Sequence, residues 1–205
     1  MRTLPIPRRA LLAAPALLLP APVSAAVPPG GYRWRVLRDG TPIGTHRVTV
    51  SGPPDARVAT TEVDLTVRLA GFVVYRYAHT FTEAWEGTRL VSLRSRSDRN
   101  GTPGAVNVRR DGDALVAEGG PGGPVRLPRE AVPLSWWDPT TLGRPLFEVA
   151  TGERHAPLRQ ESTGGGITRW RIPAPPNSES RYDASGTWLG YSTRGQDGST
   201  VTYAV

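Results

Sequence analysis

The chain contains no cysteine and no lysine. Without cysteine there is no disulfide framework, no thiolate metal site, no thiol nucleophile and no acylated lipoprotein N-terminus. Without lysine, every basic side chain is an arginine, a usage that reads as coding bias rather than as a partner. Histidine is also scarce, with three residues, as is phenylalanine, with three. After the N-terminal segment there is no long apolar run, no repeat period and no block of like charge. The charges are interleaved, so the electrostatic footprint of a nucleic-acid binder is missing.

What the sequence does have is punctuation. It carries 23 glycines and 21 prolines in 205 residues, with 38% hydrophobic and 21% charged residues. That composition fits an ordered chain of many short strands better than long helices or a disordered segment.

The N-terminus has the layout of an export signal. Met1 to Arg9 is basic and free of acids, Ala10 to Leu19 is apolar but too short for a bilayer anchor, and Val23-Ser24-Ala25 offers small residues for cleavage after Ala25. Arg8-Arg9 leaves the general secretory and twin-arginine routes both open. Residues 26–31 read as a linker and 32–205 as one β domain, exported to the periplasm or beyond. Removing Arg2, Arg8 and Arg9 with the leader leaves 22 arginines against 18 acidic residues, a net charge of +4. The processed chain is expected to have no transmembrane segment.

From Tyr32 onward, β-branched and aromatic residues alternate with polar ones between turn signals. Asp39-Gly40 predicts a hairpin, with a bulge near Pro42. Val58–Leu69 and Phe72–Trp85 are long strands, and further strands lie at Arg89–Asp98, Ala105–Arg110, Ala114–Glu118 and Pro124–Leu127. Asp138-Pro139 predicts one short helix near residues 138–143. Strands resume at Ile167–Ile172, Ser180–Asp183, Trp188–Arg194 and Thr200–Val205. The expected fold is all-β, an antiparallel meander rolled into a closed or half-closed barrel, lipocalin-like or similar.

The candidate site comes from alternation. Tyr75, Tyr77, His79, Phe81, Glu83 and Trp85 share one strand face. A two-residue turn at Glu86-Gly87 would put His79 opposite Arg94, Tyr77 opposite Arg96 and Tyr75 opposite Asp98. Apolar walls with a few placed polar groups suit a small ligand, either apolar or an anionic amphiphile such as a lipid. Trp136-Trp137 is either a stacking platform at the barrel mouth or a plug. His79 and Glu83 are separated by about 13 Å along a strand, too far to bind one ion alone. No metal site, cofactor or catalytic constellation is assigned. A hydrolase using Glu83, Asp98 or His79 is the alternative, and a small outer-membrane barrel the third reading.

These residues also carry a resemblance. Tyr32-Arg33-Trp34-Arg35-Val36 with Asp39 to Gly44, Val74-Tyr75-Arg76-Tyr77, Glu83-Ala84-Trp85, Trp137-Asp138-Pro139 and Tyr182-Asp183 with Gly186-Thr187-Trp188 together resemble an exported bacterial family, domain of unknown function 6134. Family members more often read Tyr-Trp-Asn-Pro where this chain has Trp136-Trp137-Asp138-Pro139. The resemblance implies an exported β protein and supplies no activity.

Overall fold

A computed structural model describes residues 27–173 and 177–205. The expected leader lies outside the described residues. The first eight strands are β1 (Tyr32–Arg38), β2 (Thr41–Ser51), β3 (Val58–Leu69), β4 (Phe72–Glu86), β5 (Arg89–Arg99), β6 (Thr102–Asp111), β7 (Ala114–Glu118) and β8 (Val125–Pro128). Three short ones follow, β9 (Val132–Pro133), β10 (Leu146–Phe147) and β11 (Arg154–His155). The last five are β12 (Arg159–Thr163), β13 (Ile167–Arg171), β14 (Glu179–Tyr182), β15 (Trp188–Arg194) and β16 (Thr200–Ala204).

Thirteen of these strands form one antiparallel meander, ordered β12 to β16, then β1 to β8. The joint between the two halves is the pairing of β1 with β16, Val36 opposite Tyr203. The edges β8 and β12 do not pair with each other, so the sheet is rolled but not closed by hydrogen bonds. The all-β meander is therefore as expected, in its half-closed form.

Alternation explains why one face of the roll is dry. Tyr32, Trp34 and Val36 of β1 are buried while Arg33 and Arg35 between them are exposed. The β1–β2 turn is built by Asp39 and Gly40, both at positive φ, which suits a tight two-residue hairpin. Ile43 is the extra residue of a bulge beside it, since Val36 pairs with Gly44 and Leu37 with Pro42. Gly44 is required there: a Cβ would stand 1.9 Å from the carbonyl oxygen of Asp64 on β3.

The inner face packs on a segment from Ala131 to Val149, which supplies Leu134, Trp137, Leu142, Leu146 and Phe147 to the same apolar cluster as Trp34, Trp85 and Trp188. The segment is held by the small sheet β9–β10–β11. Where a short helix was expected there is a single 3-10 turn, Pro139–Thr141, capped by Asp138. Gly143, Pro145 and the return into β10 leave no length for a longer helix. Four strands were not anticipated. β12 is polar throughout, and two-residue strands such as Val132–Pro133 have no period to detect.

Candidate functional site

The β4–β5 register differs from the expectation. Glu86 pairs with Arg89, so the turn is Gly87-Thr88 and not Glu86-Gly87; Trp85 then pairs with Leu90, but Ala84 pairs with Ser92, so Val91 is an extra, bulged residue. His79 is consequently opposite Ser97, and Tyr77 is opposite Arg99. Arg94 faces Thr82, Arg96 faces Thr80 and Asp98 faces Ala78. Arg94, Arg96 and Asp98 therefore stand on the outer, exposed face, with the sheet between them and the aromatic row. The predicted site separates into an inner and an outer half.

The inner half runs from half-buried Tyr75 and Tyr77 to buried His79, Phe81, Glu83 and Trp85. Glu83 is fully buried. Its Oε2 accepts the Trp85 indole N–H at 2.8 Å, and the Trp137 indole N–H lies 3.2 Å from each carboxylate oxygen. Burial pushes its pKa up to about 7, against the opposing pull of hydrogen bonds from Ser135, Trp137 and Trp85. Beside it, Asp138 accepts the Thr140 N–H at 3.0 Å and pairs with Arg57 at 3.4 Å, while the Arg57 guanidinium lies 5.3 Å from the centre of the Trp137 ring. Trp137 is thus a plug residue. Trp136 is only partly buried, with its ring 5.5 Å from that of Tyr191.

Further along the inner face, His79 has its Nδ1 2.9 Å from the Tyr77 hydroxyl and its Nε2 2.8 Å from Ser95 Oγ. A hydroxyl against imidazole is the arrangement of a nucleophile and its base. Here both are buried, and a phenol occupies the position where a triad has a carboxylate. Burial lowers the His79 pKa to about 4, far from that of a working base at neutral pH. His46, whose Nδ1 is 3.0 Å from the Tyr203 hydroxyl, is lowered by burial to about 3. Glu148, raised by burial, pairs with His155 at 3.3 Å. Asp98 is on the opposite face from His79 and Glu83, so these three do not form one constellation. Among the described residues no group of three or more His, Cys, Asp or Glu could hold a metal ion.

The outer half is a groove of about 770 Å³ across β4, β5 and β6. Register places Ala78, Thr80 and Thr82 of β4 beside Asp98, Arg96 and Arg94 of β5, and Ala105 and Asn107 of β6 beyond them. Small side chains make the floor and two guanidiniums rise from it. Neither Arg94 nor Arg96 has an ion pair or side-chain hydrogen bond among the described residues. Sequence reasoning found both arginines but put them on the wrong face, and it missed the small-residue floor. It also missed Ser95 and Arg57 as neighbours of the inner row.

With this geometry in place, comparison with known proteins decides the family. A family model described as domain of unknown function (DUF6134) matches residues 34–205. The chain belongs to DUF6134. Neither the curated proteins nor the solved structures contain a match.

The DUF6134 motif stretches can now be placed. Glu83, Trp85 and Trp137, distant in sequence, meet in one buried hydrogen-bonded group. Tyr32, Trp34 and Trp188 pack ring against ring, with Tyr32 and Trp188 centroids 5.6 Å apart. The Tyr182 hydroxyl donates to the Trp136 carbonyl at 2.6 Å. Of the stretches that carry the DUF6134 resemblance, Glu83-Ala84-Trp85, Trp137-Asp138-Pro139 and Tyr182 fasten the plug to the sheet. No helix among the described residues is long and apolar enough to cross a membrane.

Proposed function

We propose that this DUF6134 chain is exported behind a leader ending at Ala25 and works, as one β domain from Tyr32, as a binding module of the cell envelope. Its ligand is an anionic amphiphile. The observation that carries this reading is the outer groove: two arginines without side-chain partners among the described residues, above an apolar and hydroxyl floor. A phosphate, sulfate or carboxylate head suits guanidinium donors, which gain most from a charged acceptor. An aliphatic tail suits the floor of Ala78, Ala105 and the threonine methyl groups. Asp98 and the amide of Asn107 border the same groove and favour a ligand with a hydroxyl or amide near its head.

The test is recovery of the protein from cells expressing it with its own leader. N-terminal sequencing is expected to begin at Ala26, and native mass spectrometry to show added mass that is lost on denaturation. A chain that begins at Met1 and stays in the cytoplasm contradicts the export half. A clean mass, together with no uptake of dodecyl phosphate, contradicts the binding half.

A second reading, a hydrolase, is favoured by the Ser95–His79 contact alone. It predicts covalent modification of Ser95 by a fluorophosphonate. The burial of both residues argues for no reaction.

A further inference from the structure

β3 and β4 are longer than their neighbours can cover. β2 pairs with β3 only as far as Leu65, and β5 pairs with β4 only from Tyr77. Yet β3 and β4 stay paired with each other out to Leu69 and Phe72. Residues 66–76 therefore form a two-stranded ribbon paired to neither neighbour, with the start of β2 still alongside Thr66–Arg68 across a groove and the tip beyond it free. Its foot is tied on one side, where the Arg76 N–H donates to Asn100 Oδ1 at 2.7 Å.

The ribbon ends in exposed apolar side chains. Leu69 is 66% exposed, Phe72 76% and Val74 54%. Only three other large hydrophobics among the described residues are exposed, and they are scattered at Val58, Leu189 and Val205. Clustered apolar exposure of this kind marks an interaction surface, whereas single residues do not.

The turn chemistry points the same way. Two other hairpins use Asp39-Gly40 and Asn100-Gly101, with both residues at positive φ. The ribbon tip adopts the same left-handed pair with Ala70 (φ 49°) and Gly71 (φ 85°). Alanine is a poor choice for that backbone, where asparagine, aspartate or glycine is preferred. The tip therefore gives up turn preference and remains apolar.

The ribbon itself carries charge of one sign, and the nearby acids, Asp39 and Asp64 across a groove from Arg68 and Asp98 opposite Ala78, stand at its foot. No acidic residue lies between Asp64 and Glu83, while Arg68 and Arg76 lie within that stretch. Arg68 donates to the Gly71 carbonyl at 3.3 Å, which keeps its guanidinium at the turn. Arg99 stands over the Tyr77 ring at 5.6 Å, beside the ribbon foot.

We propose that the β3–β4 ribbon docks the protein on an anionic bilayer surface. Leu69, Ala70, Phe72 and Val74 enter the boundary between headgroups and acyl chains, and Arg68, Arg76 and Arg99 meet lipid phosphates. An apolar wedge ringed by cations binds such surfaces by burying apolar area and by attraction to anionic lipid together. The interaction goes beyond ligand capture in the Arg94–Arg96 groove and stands or falls without it.

The absence of cysteine makes a site-specific test direct. The full chain carrying Ala70→Cys is labelled with an environment-sensitive nitrobenzoxadiazole, as is a second chain carrying Leu189→Cys. Each is mixed with vesicles of phosphatidylcholine and phosphatidylglycerol at 7:3, and with phosphatidylcholine alone. The expected result is a blue shift and brightening at residue 70 with the anionic vesicles, absent at residue 189 and at least about tenfold weaker without phosphatidylglycerol. Adding Phe72→Asp should lower partitioning at least about tenfold, with an unchanged melting temperature. If that variant melts early, Phe72→Ser replaces it in the same assay. No response at residue 70, an equal response at residue 189, or full binding by a folded Phe72 variant overturns the proposal. So does a lipid-independent shift that grows with protein concentration, which would make the partner a second copy of the chain.

Discussion

The Trp137 indole N–H stands 3.2 Å from each oxygen of Glu83, a fully buried carboxylate whose other indole donor, Trp85, lies two residues along its own strand. One residue of the plug and one of the sheet are thereby locked together through a titratable group. Donor hydrogen bonds favour the charged carboxylate and burial favours the neutral acid, and burial prevails.

Glu83 is expected to make stability depend on pH. Its folded pKa, about 7, lies above the usual value of 4.5. Between those values the folded state binds more protons than the unfolded one, so this contribution falls as pH rises from 4.5 to 7 and is flat beyond. The size is about 3 kcal/mol. Denaturant unfolding of wild type and Glu83→Gln across this range measures it: the difference in unfolding free energy should shrink by that order in favour of the variant. His46 and His79 act in the opposite sense. Lowered from 6.5 to about 3 and about 4, they contribute stability that is complete above pH 6.5 and lost as pH falls through the folded values.

Trp137→Phe keeps an aromatic ring in the plug but removes the indole donor. Glu83 would retain Trp85 and Ser135 as partners, so the loss is partial. A destabilisation of about 1–3 kcal/mol is expected, read as a shift in the urea midpoint at constant slope. A further rise in the Glu83 pKa should accompany it, visible by NMR titration of the carboxyl carbon.

Asp138→Asn separates the two roles of that side chain. Asparagine caps a helical turn about as well as aspartate, so the bond to the Thr140 N–H survives. What is lost is the charge that faces Arg57, whose side chain is 12% exposed. The variant should be less stable by about 1–3 kcal/mol, and adding Arg57→Gln should recover part of that loss in a double-mutant cycle. Purely additive effects would show that the pair does not interact.

How much of this was legible in the sequence depended on range. The inward row from Tyr75 to Trp85 could be read because a strand has a period of two and six alternating residues fit it. The hairpin at Asp39-Gly40 was legible from its turn chemistry. The outward placement of Arg94 and Arg96 was not, because a single bulged residue, Val91, flips everything after it. A sign was available: Leu90 and Leu93 are both buried, and three residues apart on a regular strand they would face opposite ways. The meeting of Glu83 with Trp137 joins residues far apart in the chain, and no local pattern encodes it. The small-residue floor was also invisible, since alanine and threonine on an outer face look like ordinary solvated strand positions.

The claim that the outer groove is an anion site can be tested directly by titrating dodecyl phosphate, below its micelle concentration, into wild type and the Arg94→Ala, Arg96→Ala double variant. Both arginines are exposed and make no ion pair among the described residues, so the melting temperature should not change. Calorimetry should show saturable binding to wild type and at least about a tenfold loss in the double variant, since a guanidinium–phosphate hydrogen bond contributes about 1.5–3 kcal/mol. Equal affinity in the double variant, or no binding to wild type, would contradict the account.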